Sequence, residues 1–317
     1  MHKKISIGLT ITIASIAIIV TALITTAVTM NIFSSLVTNL PEREAMYASL
    51  SEIDNIIRTE YYGTVEEESV NSAITTGYLE NLTVGKNYIM SADEYSNYKL
   101  NQSGTDKNGN SVISVSHKKD SGIGYIKISD FTDKTPEEFS QALTELKNES
   151  VNGLVIDVRN TESINIKSAT LVIDMLVPLA TSSTQSIATA VDKNNANTVV
   201  FASDAQSVDL PVSVIINKDT SGAGELLACD IRDFGMGTIV GKTTAGNGSY
   251  QKIFELENGG ALVLTTAKLL PYTSECYDGI GVKPDYDVEL KSQTDDLTKD
   301  AQYQQALASV MSMQKIK

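Results

Sequence analysis

The side chains that could do chemistry in this chain meet around one strand–turn–helix segment. Residues 210–251 predict a buried strand, a small-residue turn, an amphipathic helix, a second strand and a Gly-rich turn. Such a turn can present a hydroxyl nucleophile at a helix N-terminus, and a buried neutral lysine can accept its proton. However, Gly222 stands at the predicted helix start and Asn247 in the Gly-rich turn. Neither residue can act as nucleophile or base. Ser221, which directly precedes Gly222, does carry a hydroxyl.

Other catalytic and ligand-binding patterns fail. The only histidines are His2 and His117, and His117 adjoins two lysines at a predicted hairpin end, which indicates a solvated surface position. Gly241-Lys242-Thr243 resembles the end of a phosphate-binding loop, but the first glycine of that motif is replaced by Met236. No His/Cys/Asp spacing indicates zinc and no acidic loop indicates calcium. We therefore expect no metal and no cofactor.

Composition excludes one class of partner. The chain has 317 residues, 42% of them hydrophobic and 20% charged, which is ordinary for a globular protein. Its net charge of −14 argues against nucleic-acid binding, which requires a basic surface. The two cysteines, Cys229 and Cys276, leave open whether they pair.

The N-terminal segment predicts a membrane anchor. Residues 5–30 carry no charge, and about 20 apolar residues are enough for a membrane-spanning helix. The segment is too long for a typical secretory signal, so an uncleaved signal anchor is favoured over a cleaved signal or a buried soluble helix. Lys3 and Lys4 precede it, which predicts a cytoplasmic tip at 1–4 and an extracytoplasmic C-terminal domain. We thus expect a single-pass protein of the cell membrane.

The remaining chain divides into four parts. Helical apolar spacing predicts an N-terminal helical unit at 31–98, followed by a loop and hairpin linker at 99–121. Alternating strands and helices predict an α/β core at 122–290. Within it, the near-continuous apolar runs at 153–158 and 212–216 predict buried strands, the first covered on both faces. Residues 291–317 predict a C-terminal helix.

Several short motifs in order then carry a resemblance. They are GYIKI at 124–128, GLVIDVR at 153–159, DFG at 233–235, IVG at 239–241, LTTA at 264–267 and GIGVKPD at 279–285. With these motifs the chain resembles the carboxy-terminal processing, or tail-specific, serine peptidases over nearly everything after the predicted anchor. The resemblance implies a core of the ClpP/crotonase type.

The resemblance also implies where the catalytic groups should be. Aligned on Glu225, the family's serine nucleophile falls on Gly222 and its lysine base on Asn247, while the supporting glutamine is retained as Gln251. Glu225 lies three residues after Gly222, so its side chain is expected to approach the backbone of the helix start. The family's oxyanion segment is replaced by Asn160, Thr161, Glu162, Ser163 and Ile164. The PDZ domain that usually precedes the core does not fit into the short linker.

These departures predict a pseudopeptidase. It would bind a peptide or protein segment by strand addition in a groove at Gly246, Gly248, Ser249 and Tyr250, or regulate an active paralogue. Two alternatives remain: an active serine endopeptidase whose nucleophile has moved to Ser221, and a scaffold or carrier of apolar ligands.

Overall fold

The computed structural model describes residues 16, 18–30, 40–177, 186–203, 208–290 and 296–314. The chain forms two compact units, Met1–Ser72 and Ala73–Lys317. In the first unit, residues 18–30 are helical and helix α1 covers Leu40–Glu60. Helix α2, Glu67–Glu80, begins in the first unit, where Glu67 pairs with Arg58 of α1.

The predicted transmembrane helix at 5–30 is wrong. Among the described residues, no helix has both the length and the apolar character that a membrane crossing requires. Residues 1–15, 17 and 31–39 lie outside the described residues. The extracytoplasmic location of the core stays a prediction.

A six-stranded sheet forms the centre of the second unit. In spatial order its strands are β13 (Tyr286–Asp287), β10 (Gly237–Gly241), β8 (Val212–Ile216), β4 (Leu154–Asp157), β3 (Ile123–Ile128) and β2 (Val115–Asp120). All neighbours are parallel except β2 and β3, which form the predicted hairpin. Ile126, Ile156, Val214 and Ile239 lie side by side across four strands and are fully buried. The near-continuous apolar runs therefore belong to strands covered on both faces.

Helices cover both faces of this sheet. On one face are α4 (Thr135–Asn148), α5 (Ile166–Asp174) and α6 (Ala223–Asp233), which share a hydrophobic cluster with the sheet. In α4, Pro136 occupies the first turn, and Phe139, Leu143 and Leu146 are buried at helical spacing. Helix α7, Ala301–Gln314, packs Tyr303 and Val310 against the other face.

A second sheet adjoins this core. Its strands are β1 (Tyr88–Met90), β12 (Ala261–Leu270), β6 (Ser186–Val191) and β7 (Asn197–Ala202), and β11 (Ser249–Glu255) also pairs with β12. The hairpin of β6 and β7 has no counterpart among the predicted elements. Helix α3, Ala92–Gln102, follows β1 and begins with a capping box between Ser91 and Glu94. Cys229 and Cys276 are both free thiols.

A third, two-stranded sheet matters most for the site. Strand β5 (Glu162–Ser163) belongs to the segment predicted as the altered oxyanion region, and β9 (Ser221–Gly222) is the turn before α6. The two strands are parallel, with Glu162 opposite Ser221 and Ser163 opposite Gly222. The fold thus brings these two distant segments into direct backbone contact.

Candidate active site

Gly222 occupies a backbone conformation that suits glycine. It lies at the N-cap of α6 with φ 62° and ψ −108°, a region that side-chain-bearing residues avoid. Its N–H donates to the carboxylate of Glu225 at 2.9 Å, so Glu225 reaches back to the helix start as the sequence predicted. The strand–turn–helix geometry of a nucleophile turn is therefore present without a nucleophile.

The backbone of β5 fills the space beside Gly222. A Cβ atom built on Gly222 would lie 2.2 Å from the carbonyl oxygen of Ser163 and 3.3 Å from its carbonyl carbon. The Ser163 hydroxyl donates to the carbonyl of Phe131 at 2.9 Å, which helps to hold β5 in place. Since real Cβ atoms do not approach a backbone oxygen this closely, a serine at 222 requires β5 to move. The altered oxyanion segment occupies the place that a nucleophilic side chain would need.

Asn247 lies beside this turn, as implied by the alignment of Gly222 and Asn247 with the family's nucleophile and base. Its amide nitrogen is 3.6 Å from the Cβ position built on Gly222, and the residue is buried. Among the described residues its side-chain oxygen has no hydrogen-bond partner. An amide does not titrate near neutral pH, so Asn247 cannot take a proton from a hydroxyl. The structure thus brings together Gly222 and Asn247, the positions aligned with the family's nucleophile and base. Neither residue can act in that role.

Glu225 organises the turn that carries Asn247. Its fully buried carboxylate accepts hydrogen bonds from the N–H groups of Gly246 at 2.6 Å and Asn247 at 2.7 Å, and also from the Thr244 hydroxyl. Together with Gly222, four donors surround one carboxylate. Charge-assisted hydrogen bonds of this kind are about twice as strong as neutral ones. Glu225 therefore joins the start of α6 to the Gly-rich turn.

Gln251 is buried on β11. Its side-chain nitrogen donates to the carbonyl of Lys86, while its side-chain oxygen has no hydrogen-bond partner among the described residues. Asn247 and Gln251 therefore each carry a buried oxygen able to accept a hydrogen bond. These oxygens are at the positions that the resemblance aligns with the family's base and its supporting glutamine.

Ser221 is not placed next to a usable base. The residue is 2% exposed, and its backbone N–H donates to the carbonyl of Thr161 at 2.8 Å. Lys242 instead contacts Asp287 and Glu289, each at 2.7 Å. Hydrogen bonds from Lys242, first to Asp287 and then to Glu289, raise the pKa of the lysine, which keeps it protonated at neutral pH. His117, on strand β2 of the hairpin, contacts Glu145 of α4 at 3.1 Å.

Three neighbouring residues to which sequence analysis gave no role at the site contact the start of α6 and the Gly-rich turn. The Tyr277 hydroxyl donates to the carbonyl of Gly222 at 3.5 Å. Asp278 accepts hydrogen bonds from the Gly248 N–H at 3.0 Å and the Ser249 hydroxyl at 3.1 Å. The thiol of Cys276 lies 3.4 Å from the Gly248 carbonyl, and burial raises the pKa of this thiol. The adjoining motif at 279–285 was the available signal, because it places this loop in the family core.

A buried ion cluster was also missed. Arg159 contacts Asp157 at 2.5 Å and Asp300 at 2.8 Å, and donates to Gln302 at 3.0 Å. Asp300 caps α7 by accepting hydrogen bonds from the backbone of Gln302 and Tyr303. The cluster thus attaches the C-terminal helix to the end of β4. The local sequence indicates only that Asp300 can cap α7, and it does not indicate the contact with Arg159.

The predicted groove is only partly open. Gly246, Gly248 and Ser249 use their polar groups within the turn, as described above, whereas Tyr250 lines a cavity of about 370 Å³. This cavity lies between α3, the residues 164–167 and β11. Ile164, the last residue of the former oxyanion segment, forms part of its wall. The cavity lies farther along β11 than the groove that the sequence predicted, and peptide binding at that groove stays a prediction.

Comparison with known proteins relates the core to proteases. The chain is 30% identical over 175 residues to the carboxy-terminal processing protease CtpB of Bacillus subtilis, covering 55% of this chain and 36% of that protein. It is 28% identical over 167 residues to the carboxyl-terminal-processing protease of Synechocystis, covering 53% of this chain and 38% of that protein. The chain therefore spans little more than a third of the length of these relatives.

Solved structures show the same fold. The photosystem II D1 C-terminal processing protease matches with a TM-score of 0.52 and 25% identity, over 60% of this chain and 52% of that one. A lipoprotein from Streptococcus agalactiae matches with a TM-score of 0.60 and 16% identity, over 82% of this chain and 88% of that one. At 16% identity, the match to the lipoprotein shows a similar fold alone. The model of peptidase family S41 matches residues 122–288, more than half of the chain, and the chain belongs to this family of tail-specific proteases.

Proposed function

We propose that this chain is a pseudopeptidase, a member of the family that binds an extended peptide or protein segment without hydrolysing it. The contact between Gly222 and Ser163 carries the proposal. Gly222 supplies no nucleophile, and the Ser163 carbonyl lies where the Cβ of a nucleophile would be. Loss of a serine nucleophile costs about a millionfold in kcat in a comparable serine peptidase. Proton transfer to Asn247 is excluded by its chemistry.

The edge of β11 supports strand addition as the binding mode. β11 pairs with β12 through seven register positions, and no other strand of the described residues pairs with it. An unpaired strand edge presents N–H and C=O groups that an extended peptide can match. The cavity beside this edge can receive a side chain. A segment of an active paralogue would bind in the same way, which makes regulation of such a paralogue one form of the proposal.

A working peptidase based on Ser221 is disfavoured by the surroundings of that residue. Its hydroxyl would need a neutral base, but Lys242 is held by two carboxylates that keep it protonated. The turn also points successive side chains in different directions, so Ser221 does not take the place of residue 222.

The test uses the full chain with fluorescently labelled, unstructured peptides. We expect saturable binding in fluorescence anisotropy and unchanged peptide masses after long incubation. The matched control is the same peptide with alternate backbone amides methylated, which removes the donors for strand pairing and is expected to abolish binding. Peptide fragments that appear with the parent protein and vanish with Ser221→Ala would contradict the proposal.

A further inference from the structure

The wall of the cavity beside β11 combines aromatic and apolar side chains with polar and charged ones, among them Gln102, Asp133 and Lys167. Tyr95 and Tyr98 of α3, Tyr250 and Ile253 of β11, and Ile164 contribute to it. The volume of about 370 Å³ is large enough for one side chain of any type. Lys99 lies 4.3 Å from the centre of the Tyr95 ring, so one face of that ring is already occupied by a cation. The mixed wall suits a flat ring that also carries a polar group.

Gln251 adds one specific polar requirement. It lines the same cavity and is 7% exposed. Its side-chain nitrogen is committed to the carbonyl of Lys86, which fixes the orientation of the amide. The side-chain oxygen therefore remains as a buried acceptor without a donor among the described residues. A buried acceptor left without a donor is costly, so a ligand that donates a hydrogen bond here gains affinity. Because the oxygen has almost no accessible surface in the unoccupied cavity, the side chains around it must shift to admit the donor.

The position of Gln251 on the strand connects this acceptor to strand addition. Gln251 and Ile253 are two residues apart on β11, so their side chains lie on the same face of the sheet. A residue of a strand added to the β11 edge would place its side chain next to them on that face. The cavity then receives a side chain, while the backbone of the peptide occupies the edge.

We propose that the cavity selects an aromatic side chain with a hydrogen-bond donor, tyrosine or tryptophan, from the bound peptide. This inference rests on the proposed peptide-binding function. The ring fills the space between the tyrosines and isoleucines, and its O–H or N–H donates to the side-chain oxygen of Gln251. Tyrosine and tryptophan are the residues that combine a large apolar ring with a polar group needing a partner. Gln251, the family's supporting glutamine, becomes a specificity-determining residue.

The experiment measures dissociation constants of the full chain for peptides that differ at one central position. The host is a fluorescent peptide of small residues, and the guest is tyrosine, tryptophan, phenylalanine or alanine. We expect phenylalanine to bind about tenfold more tightly than alanine, because its ring is buried. Tyrosine should bind about fivefold more tightly than phenylalanine through its added hydrogen bond.

Two variants separate the role of Gln251 from general damage. Gln251→Met keeps a long unbranched side chain without the acceptor, and we expect it to abolish the preference for tyrosine over phenylalanine. Gln304 of helix α7, which does not line the cavity, provides a matched control, because its side-chain nitrogen also donates to a backbone carbonyl, that of Leu297. Gln304→Met should retain the preference.

The outcomes distinguish this inference from the function on which it rests. Equal binding of all four peptides would overturn the aromatic selection while leaving peptide binding intact. Equal binding of tyrosine and phenylalanine to the parent would overturn the role of Gln251. Binding of none of the peptides would overturn both the selection and the proposed function.

Discussion

Replacing Gly222 by alanine tests whether the oxyanion segment closes the site. The substitution forces a side chain into a backbone conformation that costs about 1–3 kcal/mol for residues other than glycine. It also places Cβ 2.2 Å from the Ser163 oxygen, and relief of such overpacking costs about 1–3 kcal/mol more. We therefore expect the free energy of unfolding to fall by about 4 kcal/mol.

Gly235 provides a matched control at the other end of the same helix. It has φ 68°, close to that of Gly222, but a Cβ atom there meets nothing within 4 Å. Gly235→Ala should therefore cost only the conformational term, about 1–2 kcal/mol. At about 2–4 °C per kcal/mol for a domain of this size, Gly222→Ala should melt roughly 4–10 °C below Gly235→Ala. Equal melting temperatures in differential scanning calorimetry would refute the closed arrangement.

Two further substitutions test buried carboxyl groups of helix α6. Glu225→Gln places a donor NH2 group where four donors surround the carboxylate, so we expect the free energy of unfolding in urea to fall by about 2–4 kcal/mol. The control is Glu257→Gln at an exposed position, and an equal loss there would contradict the reasoning. Burial raises the pKa of Asp230 well above its usual range, against the opposing hydrogen bond from Tyr272. Its contribution to stability is then complete below about pH 3.9 and is lost as pH rises through the folded-state pKa. Because Asp230→Asn removes this titration, the stability of the variant relative to the parent should rise between pH 4 and pH 7, and a constant difference would contradict the assignment.

Regular elements with local signals were predictable from sequence. The apolar runs in β4 and β8 predicted buried strands, and the position of Glu225 three residues after Gly222 predicted its contact with the helix start. The meeting of Gly222 and Asn247 followed from the resemblance rather than from periodicity. These features depend on short-range patterns or on several motifs that follow one another in a fixed order along the chain.

The decisive contact could not be read from sequence. Ser163 and Gly222 meet through backbone atoms, and nothing in their side chains marks the pairing of β5 with β9. The hairpin of β6 and β7 was missed because small and polar residues in β6, and four consecutive apolar residues at the end of β7, hide the period-two alternation of a strand. Arg159 and Asp300 are likewise joined only by the packing of α7 onto the sheet. Tertiary packing decided each of these features.

The most direct test of the central claim is labelling by a fluorophosphonate probe, which reacts with activated serine hydroxyls. An active member of the family serves as the positive control, and the parent chain is compared with Ser221→Ala at equal concentration. The closed and nucleophile-free arrangement at Gly222 predicts no labelling of either protein. Stoichiometric labelling of the parent that disappears in Ser221→Ala would show an activated serine and contradict the account.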